Sequence, residues 1–162
     1  MMENTFTNSS FKALIRRAVS NDIERIVTLM NQGAPEGGKN PTPANLILND
    51  YYAAFEKIDN DPNQYLMVAE INKEVIGTFQ ISFLSYLSGA GQEDCQIESV
   101  FITPEWRAKG VGTQMMNWAI NHAKNSNCRR IQLTSNKKRK DAHRFYERLG
   151  FQRSHDGFKL QL

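Results

Sequence analysis

The chain has 162 residues, a net charge of +3, 40% hydrophobic and 23% charged residues. The length suits a single domain with a real core, and the composition is ordinary for a soluble globular protein. The two cysteines, Cys95 and Cys128, lie far apart, which excludes a disulfide framework and a cysteine-based zinc site and favours a reducing cytosol. We therefore expect one cytoplasmic domain over residues 1–162, with residues 1–11 forming a poorly ordered tail.

Neither a leader nor a membrane segment is indicated. Residues 1–12 are polar and lack an apolar run, so we expect no signal peptide. Residues 75–92 carry no charge, but Gly, Ser, Thr and Gln interrupt them throughout and make them too polar to span a membrane.

Charge is divided unevenly along the chain. Residues 1–104 carry a net charge of −6, whereas residues 105–162 carry +9. A basic C-terminal part suits a polyanionic ligand, and an acidic N-terminal part suits a cationic one. Two solvated faces without any ligand would produce the same asymmetry.

Apolar periodicity predicts the elements of the first half. In chain order these are a strand over 14–19, a helix beginning near 23, a Gly- and Pro-rich loop over 33–43, a helix over 47–58, and strands over 65–71 and 74–87. Asn72 and Lys73 form a plausible two-residue hairpin turn between the last two strands, because Asn tolerates positive φ.

The second half continues with alternating strands and helices. The pattern predicts a strand over 92–103, a helix over 111–124, a strand over 130–134, a helix over 141–149, and closing strands over 151–153 and 158–162. Helices thus interleave with a mainly hairpin-connected sheet, which indicates one α/β (α+β) layered domain.

The stretch from Arg107 to Thr113 joins the 92–103 strand to the next helix. The first turn of a helix has N–H groups without intrahelical partners, and these groups favour an anion. Gly110 and Gly112 lack Cβ atoms, so a phosphate could approach the backbone, and Arg107 and Lys109 add positive charge. The stretch therefore predicts a pyrophosphate cradle, although an ordinary strand–helix turn would use similar residues.

Two common phosphate motifs are absent here. No P-loop spacing occurs, and the third glycine of a dinucleotide fingerprint is replaced by Met115. The remaining Arg-x-x-Gly-x-Gly pattern, after a strand and opening a helix, resembles the acetyl-CoA loop of the GNAT superfamily of N-acetyltransferases.

Three further segments carry this resemblance. Residues 96–104 resemble the GNAT strand before the acetyl-CoA loop, and residues 142–151 resemble the Ala-x-x-x-Tyr-x-x-x-Gly-Phe block. Residues 134–146, with Ser154 and His155 after them, resemble the branch containing aminoalkylphosphonate N-acetyltransferases. The sequence departs from the family at Arg139, where many GNAT proteins have Asn.

The resemblance implies a single-domain GNAT fold, with a mixed, mostly antiparallel central sheet flanked by helices. It implies acetyl-CoA as cosubstrate and direct acetyl transfer to the primary amine of a small molecule, with an aminoalkylphosphonate-like amine as one candidate. A protein or peptide acceptor and a non-catalytic CoA-binding sensor are the alternatives. We expect no metal, no membrane and no nucleic-acid partner. Many GNAT proteins form homodimers, but the sequence identifies no interface.

By the same resemblance, one set of residues would contact the cofactor. Backbone groups near Val100 would align the pantetheine arm, and the Arg107–Thr113 stretch would hold the pyrophosphate. The expected cofactor contacts are Val100, Phe101, Ile102, Arg107, Ala108, Lys109, Gly110, Val111, Gly112, Thr113, Asn136, Arg139, Ala142 and Phe145. The basic run 137–140 places four cations near a helix N-terminus, where they oppose the helix dipole, and is a candidate for the 3′-phosphate. A solvated turn and a nucleic-acid patch are the alternatives.

Glu98 is the candidate general base. An ammonium with a pKa near ~10.4 must lose a proton before it can attack, and a carboxylate can take that proton directly or through water. Some relatives carry the glutamate base at the position of Gln96, and an amide cannot serve as a base. By strand alternation we expect Glu98 to share a face with Gln96, Val100 and Ile102. A carboxylate that only binds a cation is the alternative.

Tyr146 is the candidate general acid. A leaving thiolate needs a proton, and a phenol with a pKa near ~10 can donate one. Its alternative is a half-buried tyrosine on an amphipathic stripe. By the resemblance, His155, in the loop before the predicted last strand, is a candidate contact in the acceptor site.

Overall fold

The computed structural model describes residues 11–33 and 48–160. The predictions made for the tail before residue 11, for loop residues 34–43, for Ile47 and for the last two residues of the closing strand lie outside this part of the chain.

The described residues form five strands and four α-helices, besides three short 3₁₀ helices. The strands are β1 (Leu14–Arg17), β2 (Gln64–Ile71), β3 (Glu74–Ser85), β4 (Glu93–Ile102) and β5 (Arg130–Leu133). The helices are α1 (Ile23–Gly33), α2 (Leu48–Asp59), α3 (Val111–Asn125) and α4 (Lys140–Arg148).

The strands form one sheet in the order β1-β2-β3-β4-β5. The first four strands pair antiparallel, and β5 lies parallel to β4. Asn72 and Lys73 connect β2 to β3 with φ values of 52° and 66°, the conformation of a type I′ hairpin turn. The predicted mixed, mostly antiparallel sheet and its hairpin turn are therefore confirmed.

Helices cover both faces of this sheet. Val68 and Val75 lie on one face and pack with the apolar stripes of α1 and α2; we call this the α1/α2 face. Ile81 and Ile97 lie on the other face and pack with the stripes of α3 and α4; we call this the α3/α4 face. This layered arrangement buries the sheet between helices, as the alternating pattern of elements predicts.

The prediction of closing strands over 151–153 and 158–162 is wrong for the described residues. No strand forms between residues 151 and 160 in the described part of the chain. Phe158 and Leu160 have the alternation of a strand, but they are 96% and 85% exposed. Alternation predicts a strand only where one face is buried, and neither side chain finds such a face here.

Candidate active site

Strand β4 separates from β5 halfway along its length. The parallel pairing runs from Asp94 with Arg130 to Ile97 with Leu133 and then stops. From Glu98 to Ile102, the edge of β4 that faces β5 is therefore unpaired among the described residues. An unpaired strand edge presents free N–H and C=O groups, so an extended, amide-containing chain can pair with it as another strand would.

A β-bulge lies at the point where the strands separate. Ser99 has a φ of 54°, and the pairing with β3 shifts so that Gln80 lies opposite Glu98 while Thr78 lies opposite Phe101. One residue on β3, Phe79, thus lies opposite two residues on β4, Ser99 and Val100, which reverses the alternation beyond Ser99.

The bulge changes which side chains of β4 share a face of the sheet. Glu98, like its partner Gln80, lies on the α1/α2 face, whereas Val100 and Ile102 pack into the core on the α3/α4 face. The expectation that Glu98 shares a face with Val100 and Ile102 is wrong, because simple alternation does not survive an extra residue. Phe101 packs on the α1/α2 face, opposite to Val100 and Ile102 as predicted.

The turn after β4 has the backbone of an anion site. Ala108 and Gly110 both have positive φ, 58° and 84°, and they are separated by Lys109. Alternation of left-handed residues with other conformations turns successive N–H groups towards a common concavity that binds anions. A left-handed conformation is costly for most L-residues, which explains a glycine at position 110.

Two cationic side chains flank this turn. Arg107 donates from Nε to the carbonyl oxygen of Ile102 at 3.0 Å, so its guanidinium is tied to the end of β4. The Lys109 Nζ lies 5.0 Å from the centre of the Trp106 ring. Both residues are exposed, and both place positive charge beside the start of α3.

Helix α3 begins directly after the turn and lacks a side-chain cap. Gly110 is its N-cap residue and, having no side chain, makes no capping hydrogen bond to the first turn. The N–H groups of Val111, Gly112 and Thr113 therefore have no intrahelical partners. These residues fit a pyrophosphate: free N–H groups, a helix dipole and two cations converge on one turn.

Gly112 has a packing role in addition to the backbone contact that the sequence predicts. A Cβ at this position would lie 3.2 Å from both Ile102 Cδ1 and Phe145 Cζ. The glycine lets β4 and α4 pack against the first turn of α3. The structure thereby brings together the predicted contacts Ile102, Gly112 and Phe145.

Gln96 and Glu98 form a hydrogen-bonded pair on the α1/α2 face. The Gln96 amide donates from Nε2 to Glu98 Oε1 at 2.9 Å. Glu98 is exposed and Gln96 half-buried, so one carboxylate oxygen of Glu98 is held while the residue stays accessible. A carboxylate held in this way can accept a proton from a cationic group.

Tyr146 lies on α4 among aromatic rings. Its ring centre is 5.1 Å from that of Phe145 and 5.8 Å from that of Phe151, and it packs against the core on the α3/α4 face. Burial raises the pKa of Tyr146 above its ordinary value, and the charge of Arg139 offsets part of that rise. The phenol is therefore protonated at neutral pH and can act as a proton donor.

The loop before α4 is held by its own side chains. Asn136 Oδ1 accepts the N–H of Lys138 at 2.9 Å, and the carbonyl oxygen of Asn136 lies 2.9 Å from His143 Nε2. A carbonyl oxygen only accepts, so Nε2 carries the proton. The side-chain oxygen of Asn136 is thus engaged within its own turn. Arg139 is exposed, and Ala142 is half-buried.

Several polar residues near the site were missed by the sequence reasoning. His143 is only 9% exposed and fixes the 136–139 loop, although it shows no motif spacing. Gln64 and Gln80 lie on neighbouring strands of the α1/α2 face, where a hydrogen bond joins them. Their contact depends on strand register, which no local pattern reveals. His155, by contrast, was named from the sequence, and it lines a shallow pocket with Glu147, Arg153, Ser154 and Asp156.

The cysteines are chemically quiet. Burial raises the pKa of Cys95 to about 12, and it also raises the pKa of Cys128. Thiolates react and thiols do not, so neither residue is a ready nucleophile near neutral pH.

Within the described ranges, no group of acidic, His and Cys side chains could hold a metal ion. None of the described helices is long and apolar enough to cross a membrane.

Comparison with known families identifies the class of protein. The model of the acetyltransferase (GNAT) family matches residues 23–151 of this chain. The chain belongs to the GNAT family of N-acetyltransferases, whose members use acetyl-CoA as the acetyl donor.

Individual relatives agree with this assignment. Aminoalkylphosphonate N-acetyltransferase of Salmonella typhimurium is 34% identical over 102 residues, which are 63% of this chain and 66% of that protein. The match thus spans just under two thirds of the relative's length.

Solved structures share the fold. A crystal structure of a transcriptional regulator from Bacillus halodurans is 36% identical, with a TM-score of 0.83, and the match covers 93% of this chain and 100% of that one. A predicted acetyltransferase from Clostridium acetobutylicum, crystallised with acetyl-CoA, is 22% identical with a TM-score of 0.74, covering 93% and 96% of the two chains.

Proposed function

We propose that this protein transfers an acetyl group from acetyl-CoA directly to the primary amine of a small molecule in the cytoplasm. The observation that carries this proposal is the continuous path from the unpaired edge of β4, between Glu98 and Ile102, to the uncapped start of α3. An extended amide chain suits the first part and a pyrophosphate suits the second. Two free cysteines, Cys95 and Cys128, support a reducing compartment.

The backbone and its flanking cations would hold the cofactor. Backbone groups near Val100 and Ile102 would pair with the pantetheine arm, with the Ile102 carbonyl oxygen also accepting from Arg107 Nε. Arg107 to Thr113 would hold the pyrophosphate. Ala142 and Phe145 would border the arm from α4. Asn136 and Arg139 are weaker candidates, because Asn136 already serves its own turn.

Glu98 and Tyr146 would carry the proton transfers. Glu98 takes a proton from the ammonium group of the acceptor and leaves a neutral amine with a free lone pair. Acetyl-CoA, when bound, supplies a thioester whose carbonyl carbon forms the new C–N bond and whose C–S bond breaks. Tyr146 gives its phenolic proton to the departing sulfur and regains a proton from the former amine nitrogen through solvent. One proton is released for each acetyl group transferred.

The two residues act from opposite faces of the sheet. Glu98 lies on the α1/α2 face, whereas Tyr146 packs against the α3/α4 face. This arrangement suits a reaction in which the amine and the thiol leaving group lie on opposite sides of the acetyl carbon.

The acceptor proposal rests on charge and resemblance. The acidic N-terminal part attracts an ammonium group. The Salmonella relative is named for aminoalkylphosphonates, which carry an amine and an anionic group. Arg139 or Lys140, both exposed, could form a charge-assisted pair with such an anion.

A CoA-binding sensor is the second candidate. The Bacillus halodurans structure described as a transcriptional regulator favours it, because that protein is 36% identical to this chain. A sensor would bind acetyl-CoA without turnover on any amine.

The test is a turnover assay that follows free CoA across three groups of acceptors. These are small amines, including 2-aminoethylphosphonate, peptides with free N-termini, and lysine peptides. We expect kcat/KM to be highest for a small amine. A peptide preference of more than about tenfold, equivalent to roughly 1.4 kcal/mol, would refute the small-molecule acceptor. Binding of acetyl-CoA without any turnover would support the sensor.

A further inference from the structure

Three polar side chains form a hydrogen-bonded chain that ends beside Glu98. Asp61 follows α2, Gln64 begins β2, and Gln80 lies on β3. Gln64 Nε2 donates to Asp61 Oδ2 at 2.8 Å, and Gln80 Nε2 donates to Gln64 Oε1 at 2.8 Å. All three side chains are half-buried.

The carboxylate of Asp61 determines how both amides are turned. The hydrogen bond from Gln64 lowers the pKa of Asp61, as does the N–H of Asn63, so Asp61 is ionised at neutral pH and only accepts hydrogen bonds. Gln64 must therefore turn its NH2 group to Asp61 and its oxygen to Gln80. Gln80 must in turn give its NH2 group to Gln64. The Gln80 oxygen is left over, and no described residue donates a hydrogen bond to it.

This oxygen belongs to a residue directly opposite Glu98 in the sheet. Gln80 and Glu98 are register partners, so their Cβ atoms lie roughly 5 Å apart on the same face. Gln96, two residues before Glu98, also lies on this face and gives its NH2 group to the Glu98 carboxylate. The Gln96 oxygen is thus also left without a described donor.

We propose that Gln80 is a specificity-determining residue of the acceptor site and that Asp61 is its positioning residue. Acting through Gln64, Asp61 makes Gln80 present an oxygen, rather than an NH2 group, beside Glu98. Gln80, Gln96 and Glu98 then form a patch of hydrogen-bond acceptors with one negative charge. This inference rests on the proposed function, because it assumes that the amine binds at Glu98.

The patch selects for a primary ammonium group. Such a group has three N–H donors, and the patch offers three acceptors from Gln80, Gln96 and Glu98. An anionic group is repelled by the same surface, so the anionic end of an aminoalkylphosphonate points away from this face. The patch thus binds the amine end of the acceptor, and any cationic side chain that binds its anionic end lies outside this patch.

The experiment reverses the amide chain with a substitution of nearly unchanged shape. In the unsubstituted protein, Asp61 Oδ1 accepts the N–H of Asn63 at 2.9 Å. In Asp61→Asn, Oδ1 keeps this hydrogen bond, and an NH2 group replaces Oδ2. Gln64 and then Gln80 must turn over, and Gln80 presents an N–H to the ammonium. With 2-aminoethylphosphonate as the probe, we expect KM for the amine to rise about tenfold, the loss of one hydrogen bond to a charged group. KM for acetyl-CoA stays unchanged.

A second substitution distinguishes this effect from a structural one. In Asp61→Asn with Gln80→Glu, the carboxylate at position 80 accepts from the turned Gln64 and still offers an oxygen to the ammonium. We expect KM for the amine in the double variant to return most of the way to that of the unsubstituted protein. In Gln80→Glu alone, the new carboxylate faces the Gln64 oxygen and weakens the hydrogen-bonded chain. This pattern is a double-mutant cycle with a coupling that simple loss of stability does not produce.

Asp59→Asn is the matched control. It removes a carboxylate two residues away whose partner is Arg17, and it should leave both KM values unchanged. An unchanged amine KM in Asp61→Asn, or no recovery in the double variant, overturns the inference alone. Absence of turnover by the unsubstituted protein overturns the proposed function and this inference with it.

Discussion

Glu98 and Ile102 lie on opposite faces of the central sheet, although an even number of positions separates them along β4. Ser99 causes this arrangement, because its φ of 54° adds one residue to the strand between the two. Glu98 consequently faces the α1/α2 side, while Ile102 lies beside Gly112 and packs into the core on the other side. The bulge thus separates the proposed acceptor side from the proposed cofactor side.

Ser99 tests the importance of this separation. Valine disfavours the left-handed conformation, at a cost of about 1–2 kcal/mol, so Ser99→Val should lower the free energy of unfolding by that amount or flatten the bulge. If the bulge flattens, Glu98 is displaced and kcat falls as well. Glycine adopts this conformation freely, so Ser99→Gly serves as the control and should retain kcat. Urea unfolding and steady-state kinetics measure both effects, and equal behaviour of the two variants would argue against the bulge.

Tyr146→Phe removes the proposed proton donor and keeps the ring among Phe145 and Phe151. Catalysis by a positioned acid contributes ~10²–10⁴-fold, so kcat should fall by at least two orders of magnitude. KM for acetyl-CoA should barely change, because the ring packing is retained. Steady-state kinetics with saturating amine is the measurement. A variant within a few-fold of the unsubstituted protein would return Tyr146 to a packing role.

Cys95 should make the protein less stable in alkali. The pKa of its thiol is about 12 in the folded protein, against an ordinary value of 9.0. Below pH 9 both states hold the proton. Between pH 9 and 12 only the unfolded chain loses it, so unfolding becomes easier as pH rises, by about 1.4 kcal/mol per pH unit.

Cys95→Ala removes this contribution and should flatten the alkaline slope of the free energy of unfolding, measured by urea titration from pH 8 to 11. The slope is informative even if the cavity left by the sulfur lowers stability at every pH. Cys128→Ala is the matched control, since Cys128 is only partly buried and should change the slope less. Parallel curves for the Cys95 variant and the unsubstituted protein would contradict this account of the thiol. The proposed acetyl transfer forms no covalent intermediate on a cysteine, so Cys95→Ala and Cys128→Ala should both keep the kcat of the unsubstituted protein.

Local patterns predicted much of the fold and the cofactor side of the site. The β4–turn–α3 unit could be read from alternation followed by Gly110 and a helical stripe, since each signal lies within a few residues. The same holds for the Asn72–Lys73 turn, whose positive φ values suit an asparagine.

The acceptor side of the site could not be predicted in the same way. The bulge at Ser99 has no sequence signal, because serine is not a residue that requires positive φ. The contact between Gln64 and Gln80 depends on the register of two strands, and that register is set by packing across the whole sheet. The strands predicted beyond Gly150 fail for a related reason: Phe158 and Leu160 alternate but have no surface to cover.

The central claim is that the turn between β4 and α3 holds acetyl-CoA, and calorimetric titration of acetyl-CoA into two variants at Gly110 tests it most directly. Asparagine and aspartate have nearly the same shape, and both tolerate the left-handed conformation that Gly110 adopts with φ at 84°. Only aspartate places a negative charge where the pyrophosphate would lie. We predict that Gly110→Asp abolishes measurable binding while Gly110→Asn retains a weakened but measurable affinity, with both variants folded by circular dichroism. Equal affinities for the two variants would contradict the claim.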